Sequence, residues 1–149
     1  QLCGPANAAY LSRYEAAVAT VDPAGEQIRY LGEVPNETLP ALYANSDLLL
    51  FASSCENLPN ILIEAMACGI PVISSDRSPM PEIAKDACLH FDPTDPKSIA
   101  AAIVAARSDP GAAQARAALG MRYAAEYSWD KSARRTFAFI RKVAEGTRK

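Results

Sequence analysis

Short continuous apolar runs alternate along the chain with longer segments in which apolar positions recur every three or four residues. The short runs lie in the segments LCG, QIRYLG, DLLLFAS, IPVIS and CLHFD. Continuous runs are typical of strands buried on both faces, whereas the longer spacing is that of helices. The pattern predicts helices over residues 10–21, 36–46, 60–68, 81–87, 97–108, 111–127 and 130–144, with Gly69 ending the third in a left-handed conformation.

This alternation of strand and helix predicts an α/β fold, a doubly wound parallel sheet with helices on both faces. We interpret residues 1–149 as one domain, since this length gives a substantial apolar core. The opening residues QLCGP resemble the end of a strand that runs straight into a turn. We therefore expect the chain to lack the first strand of its domain.

Composition and charge narrow the classes of partner. Half of the residues are apolar and the net charge is −2, as in an ordinary globular domain. Residues 130–149 hold seven Lys/Arg against two acids. Cations gathered on one terminal helix argue against nucleic acid as the partner. The four cysteines form no CxxC pair, so we expect no metal site and reduced thiols in a cytoplasmic protein.

The candidate site lies where the predicted strands end. In a parallel sheet, ligands bind beyond the carboxyl ends of the strands, which places the loop of residues 53–59 at the functional edge. Glu56 is in this loop, and Glu64 follows about one turn into the next helix. A carboxylate can accept from both hydroxyls of a vicinal diol, and the helix start favours a phosphate. Glu64 therefore suits the ribose of a nucleotide.

Simpler interpretations of these residues stay open at this point. Glu64 is also explained as a partly exposed helix residue, although Ile61, Leu62, Ile63 and Met66 leave little polar face around it. Asn57 and Asn60 are equally suited to cap the helix. The single histidine, His90, lies in a predicted strand and is given no role.

The segment ENLPNILIEAMACGIPVISSD closely resembles a known family. It is similar to the donor-binding, C-terminal half of retaining glycosyltransferases of the GT-B fold, the group 1 family (family 4), which carry E-x7-E followed by EAMACG-PV. Here Glu56, Glu64 and residues 65–72 fit that pattern. The segments IRYLGEVPNETLPALYANSDLLLFAS and YSWDKSARRTF also resemble family elements, so the likeness covers nearly the whole chain.

The resemblance implies a role for each matching residue. Glu64 would hold the ribose hydroxyls, and Glu56 would be the catalytic residue that contacts the donor sugar near the reacting carbon. Leu31 and Gly32 would lie against the base. The backbone N–H groups facing the sugar and distal phosphate would be those of Asn57, Leu58, Asn60 and Ile61. Pro59 departs from the family's glycines and has no N–H to offer.

The implied activity is transfer of a sugar from a nucleoside-diphosphate sugar, with UDP or GDP as the nucleotide, to an acceptor hydroxyl. The resemblance implies retention at the anomeric carbon and no metal or other cofactor. The family's acceptor domain, which would meet a sugar, lipid or glycan acceptor, and its phosphate-binding Lys/Arg pair are not in this chain. We therefore expect these 149 residues to bind the donor and to be inactive alone.

Two other functions remain as alternatives: a nucleotide-sugar-binding module without catalysis, and a nucleotide-sugar epimerase of the same fold. The basic closing helix also allows peripheral contact with the inner face of the membrane. Its relevant residues are Arg134, Arg135, Arg141 and Lys142 with Phe137, Phe139 and Ile140. Packing of this helix across another domain explains the same apolar positions and is the preferred interpretation.

Overall fold

The computed structural model describes residues 1–146 and contains short strands separated by helices. The strands are Leu2–Cys3 (β1), Tyr30–Gly32 (β2), Leu49–Phe51 (β3), Val72–Ser75 (β4) and Leu89–Phe91 (β5). The α-helices are Ala8–Val21 (α1), Leu39–Ala44 (α2), Asn60–Ala67 (α3), Met80–Ala84 (α4), Pro96–Ser108 (α5), Pro110–Ala124 (α6) and Trp129–Gly146 (α7). Short 3-10 helices cover Asn36–Thr38 and Lys85–Ala87.

The chain divides into two compact units, Gln1–Ala41 and the residues from Leu42 onward. In the first unit β1 pairs with β2, and in the second the order is β3-β4-β5. Every pairing between described strands is parallel, which confirms the predicted α/β class. The described strands form two separate sheets by their hydrogen bonds, however, rather than the one continuous sheet that the pattern predicts.

A buried carboxylate organises the first unit. Asp22 follows α1 and accepts hydrogen bonds from the N–H groups of Glu26, Gln27 and Ile28, at 2.7 to 3.1 Å. These bonds, led by that from Ile28, hold the pKa of Asp22 below its ordinary value. Because the carboxylate takes these donors, residues 26–28 lie outside the strand, and β2 is shorter than the QIRYLG segment predicts.

The apolar core of the second unit is centred on β4, all four residues of which are buried. Ile73 packs with Phe91 of β5 and with Ala102 and Ala106 of α5. Leu50 of β3 is 39% exposed. Successive strand side chains point to opposite faces, so the prediction that β3 is buried on both faces is wrong.

Helix α3 is positioned by close packing against α6. The buried residues of α6 are all small: Ala113, Ala117, Gly120 and Ala124. A Cβ atom on Gly120 would lie 3.4 Å from Met66 Cγ of α3, at ordinary van der Waals distance, so small residues on α6 are enough to fill the space between the two helices. Gly69 ends α3 with φ of 72°, as predicted, and leads the chain into β4.

The last helix, α7, is amphipathic but has no buried residue in its described length. Its apolar side chains Trp129, Phe137, Ile140 and Val143 are 50% to 82% exposed. They recur at helical spacing on one face, and the cations occupy the remainder. No helix within residues 1–146 is both long enough and apolar enough to cross a membrane.

Candidate functional site

The predicted functional edge is formed in the second unit by the loops that follow β3, β4 and β5. Because the three strands are parallel, their carboxyl ends lie at the same edge of the sheet. Glu56 is half-buried in the first loop. In the second, Arg77 binds Asp92 of the third loop at 2.9 Å and lies 3.5 Å from Asp76. This ion pair ties the second and third loops together.

An unusual turn starts α3. Pro59 has φ of −77° and ψ of 79°, and the N–H of Asn60 donates to the carbonyl of Leu58 at 2.9 Å, which is an inverse γ-turn. No side chain caps this helix, so the interpretation of Asn57 and Asn60 as caps is wrong. Within the described residues the N–H of Ile61 meets no acceptor, which leaves it available to a ligand.

A cavity of about 460 Å³ lies between this end of α3 and the start of α7. Its first wall comes from Leu58, Asn60, Ile63 and Glu64, and its second wall comes from residues in the segment 126–136. This volume is within the range of small-molecule sites, and the charged residues of the lining are Glu64, Glu126, Lys131 and Arg135. Glu64 is exposed, so its carboxylate is accessible to a ligand.

The second wall brings cations and an aromatic ring to the cavity. Trp129, Lys131 and Arg135 all line it. Lys131 Nζ donates to the carbonyl of Ala125 at 3.1 Å and lies 3.7 Å from a carboxylate oxygen of Glu126. Lys131 thus holds the turn that joins α6 to α7, and Arg135, one helical turn later, has no such partner within residues 1–146.

The structure brings together only some of the residues predicted for the site. Leu58, Asn60 and Glu64 line the one cavity described above, whereas Glu56, Asn57 and Ile61 are not among its described lining residues. The N–H of Asn60 is engaged by Leu58, so binding a ligand through this group would require it to exchange partners.

The two residues predicted to lie against the base belong to the first unit. Leu31 is 41% exposed in β2. The carbonyl of Gly32 accepts a hydrogen bond from the N–H of Gly4 at 2.8 Å. Their assignment to the base stays a prediction.

Sequence reasoning did not assign Trp129, Lys131 or Arg135 to the site. They follow Glu64 by more than sixty residues, and no spacing rule links positions so far apart. The one signal for them was the YSWDKSARRTF segment, which resembles a family element without implying a role. His90 has both ring nitrogens against backbone carbonyls, of Lys85 at 2.9 Å and Ser75 at 3.3 Å.

The chain shares sequence with known glycosyltransferases. A family model described as Glycosyl transferases group 1 matches residues 11–123. The O-antigen chain mannosyltransferase B of Escherichia coli is 38% identical over 109 residues, which cover 73% of this chain and 29% of that protein. The D-inositol 3-phosphate glycosyltransferase 1 of Catenulispora acidiphila is 28% identical over 126 residues, 83% of this chain and 30% of that protein. The chain thus spans less than a third of these relatives.

Solved structures share the fold. Sucrose-phosphate synthase from Thermosynechococcus elongatus matches with a TM-score of 0.84 and 25% identity, over 97% of this chain and 38% of that one. Anabaena Alr3699/HepE, solved with UDP and glucose, matches with a TM-score of 0.83 and 19% identity, over 95% of this chain and 40% of that one. At 19% identity, the second comparison establishes the fold alone.

Proposed function

The chain belongs to the group 1 glycosyl transferases, and we propose that it is the donor-binding part of an enzyme that transfers a sugar from a nucleoside-diphosphate sugar to an acceptor hydroxyl. In this reaction the bond between the anomeric carbon and the diphosphate oxygen breaks, and a bond to the acceptor oxygen forms. The hydroxyl proton leaves with a base or the departing diphosphate. We propose retention of the anomeric configuration, which is the family pattern that Glu56 and Glu64 resemble.

The observation that carries this proposal is the position of Glu64. Its exposed carboxylate lines a cavity of about 460 Å³ next to the start of α3. Two carboxylate oxygens can accept from the 2′ and 3′ hydroxyls of one ribose, and such charge-assisted bonds contribute roughly 1.5–3 kcal/mol. The apolar side chains of Leu58 and Ile63 complete a surface on which a nucleotide could pack.

Glu56 is proposed to contact hydroxyls of the donor sugar from the neighbouring loop. The support is its place at the edge where three parallel strands end, eight positions before Glu64. A carboxylate there would orient the sugar and stabilise positive charge that develops at the anomeric carbon as the leaving group departs.

The leaving diphosphate gains negative charge, which the start of α3 is suited to stabilise. The unpaired N–H of Ile61 and the helix dipole favour an anion at this end. We propose that the reaction proceeds without a metal ion, with the charge met by N–H groups and cationic side chains. The donor nucleotide is proposed to be UDP or GDP, and the acceptor a sugar, lipid or glycan.

This chain covers less than a third of its relatives, so the catalytic cycle is proposed for the whole protein and donor binding for this part. A cytoplasmic location, with contact at the inner face of the membrane, is likewise proposed. The alternative of a binding module without catalysis differs in one respect, since it would bind the donor and never transfer the sugar.

The first experiment is calorimetric binding of UDP, GDP, ADP and UMP to the protein and to Glu64→Gln. We expect one diphosphate to bind and Glu64→Gln to weaken it by roughly ten- to a hundredfold. Glu145→Gln, an exposed position of α7 outside the cavity lining, is the matched control and should leave affinity unchanged.

The outcomes separate the functions. If the folded protein binds none of the nucleotides, or if Glu64→Gln and Glu145→Gln behave alike, the assignment of the donor site is wrong. Turnover of a nucleotide sugar by residues 1–149 alone would contradict the proposal that this part only binds the donor. Conversion of UDP-glucose to an epimeric UDP-sugar, with the bond to the diphosphate intact, would favour the epimerase alternative.

A further inference from the structure

We infer that Arg135 of α7 binds a phosphate group of the same nucleotide whose ribose Glu64 holds. This inference rests on the proposed function, because it assigns a second contact within the same cavity. It assigns the phosphate to a side chain from the last helix of the unit, whereas the groups of this chain that the resemblance assigned to the phosphate were backbone N–H groups near α3.

The first observation is that Arg135 and Glu64 line one cavity from different helices. Glu64 comes from α3, and Arg135 comes from α7 together with Lys131, Ser132 and Thr136. Positions 131, 132, 135 and 136 recur at the spacing of one helix face. The cavity is thus lined by the Arg135 guanidinium, the hydroxyl residues Ser132 and Thr136, and the paired Lys131. All four belong to a regular helix rather than to a loop.

The second observation is that Arg135 is left unpaired while its neighbours are not. Arg134 Nε donates to Asp130 Oδ2 at 2.8 Å, and Lys131 is held by Ala125 and Glu126. Within residues 1–146 no carboxylate lies within ion-pair distance of the Arg135 guanidinium. Its charge is therefore available to an anionic ligand.

The third observation is that the charged side chains of the two walls do not pair with each other. Glu64 and Arg135 form no ion pair with each other in the described residues, although their charges are opposite. Both groups therefore keep their binding capacity for one molecule that carries a diol and an anion. A nucleoside diphosphate carries both, and guanidinium is the cation best matched to phosphate in shape and hydrogen-bond donors.

The test compares diphosphates with nucleosides that lack phosphate. UDP and GDP are titrated by calorimetry, and uridine and guanosine by ligand-observed NMR, against the protein and three variants. Arg135→Gln should weaken binding of the preferred diphosphate by about tenfold and leave the matching nucleoside within about twofold. Arg135→Lys should keep part of the affinity, and the effect of Arg135→Gln should shrink at high salt.

Arg134→Gln is the matched control, since it removes the same charge from the adjacent position, which does not line the cavity. Equal effects of Arg135→Gln and Arg134→Gln on the diphosphate would overturn the inference while Glu64→Gln could still support the donor site. Equal loss of nucleoside and diphosphate in Arg135→Gln would also overturn it, because that result marks a structural role. If no nucleotide binds the unsubstituted protein, the proposed function fails and the inference fails with it.

Discussion

Helices α6 and α7 follow one another and are of similar length, yet the fold uses them in opposite ways. Helix α6 buries four small residues, whereas none of the described residues of α7 is buried. The apolar and polar faces are nevertheless far better separated in α7 than in α6. An amphipathic pattern therefore shows that a helix has a face to cover, but it does not show that this chain covers it.

The difference follows from side-chain size and from what lies opposite. Alanine and glycine let the backbone of α6 approach α3 closely, so little apolar area is enough to fill the space between them. Large residues such as Phe137 and Ile140 would need a partner surface, and they are 70% and 53% exposed here. Helix α6 thus holds α3 in place, while the first turns of α7 contribute side chains to the cavity.

The largest effect expected from this contrast between a closed and an open surface is a difference in reactivity between a buried and an exposed cysteine. Cys88 follows the 3-10 helix that packs against α6, and burial raises its pKa to about 12. At that pKa only about one thiol in ten thousand is ionised at pH 8. We expect a thiol reagent to modify Cys88 at least about a thousandfold more slowly than the exposed Cys68.

Peptide mapping after timed labelling at pH 8 measures both rates in one sample. Urea above the unfolding midpoint should remove the difference. Similar rates for Cys88 and Cys68 in the folded protein would show that the side of the core next to α6 is open.

Next in size is the buried methionine between α3 and α6. Met66 is 1% exposed, so Met66→Ala should lower the free energy of unfolding by about 2–5 kcal/mol. Met121 of α6 is 49% exposed, and Met121→Ala should cost clearly less. Urea unfolding followed by circular dichroism measures both. Equal losses would contradict the picture of a closed α3–α6 contact beside an open surface.

A smaller effect is expected at the glycine that ends α3. Gly69 has φ of 72°, and a Cβ there would also lie 2.8 Å from the Sδ atom of Met121. Gly69→Ala should therefore cost about 1–3 kcal/mol. Gly111→Ala, at an ordinary helical position of α6, should cost nothing or gain up to about 1 kcal/mol. The thermal midpoints of the two variants are the measurement. A Gly69→Ala variant as stable as the unsubstituted protein would contradict the expectation that a side chain at this position is strained.

The smallest effect should be on the apolar face of α7. Ile140→Ser removes an apolar side chain that is 53% exposed, so the free energy of unfolding should change by no more than about 0.5 kcal/mol. Ile73→Ser in the buried strand β4 is the contrasting variant and should be severely destabilising. A loss of about 2 kcal/mol or more for Ile140→Ser would mean that α7 is packed in solution.

Much of this fold could be predicted from local pattern. The predicted helices agree with the observed ones to within a few residues, and Gly69 takes the left-handed conformation that its place after an apolar helix requires. The strands were harder to delimit. The QIRYLG run becomes strand only from Tyr30, since the Asp22 carboxylate binds the preceding N–H groups, and no periodicity reveals such a contact.

The candidate site divides in the same way. Glu56 and Glu64 could be singled out from the sequence because both lie on one short segment, where spacing and neighbours are informative. The second wall of the cavity could not, since Trp129 and Arg135 come from a helix far along the chain. Only folding brings that helix beside α3.

The sequence by itself determined the α/β class, the order of helices and strands and the end of α3 at Gly69, and it marked Glu64 as a candidate site residue. These depend on the period of apolar positions and on backbone preferences, which act over a few residues. Tertiary structure decided which faces are covered and that Arg135 shares a cavity with Glu64. These depend on packing between distant segments, which no local pattern contains.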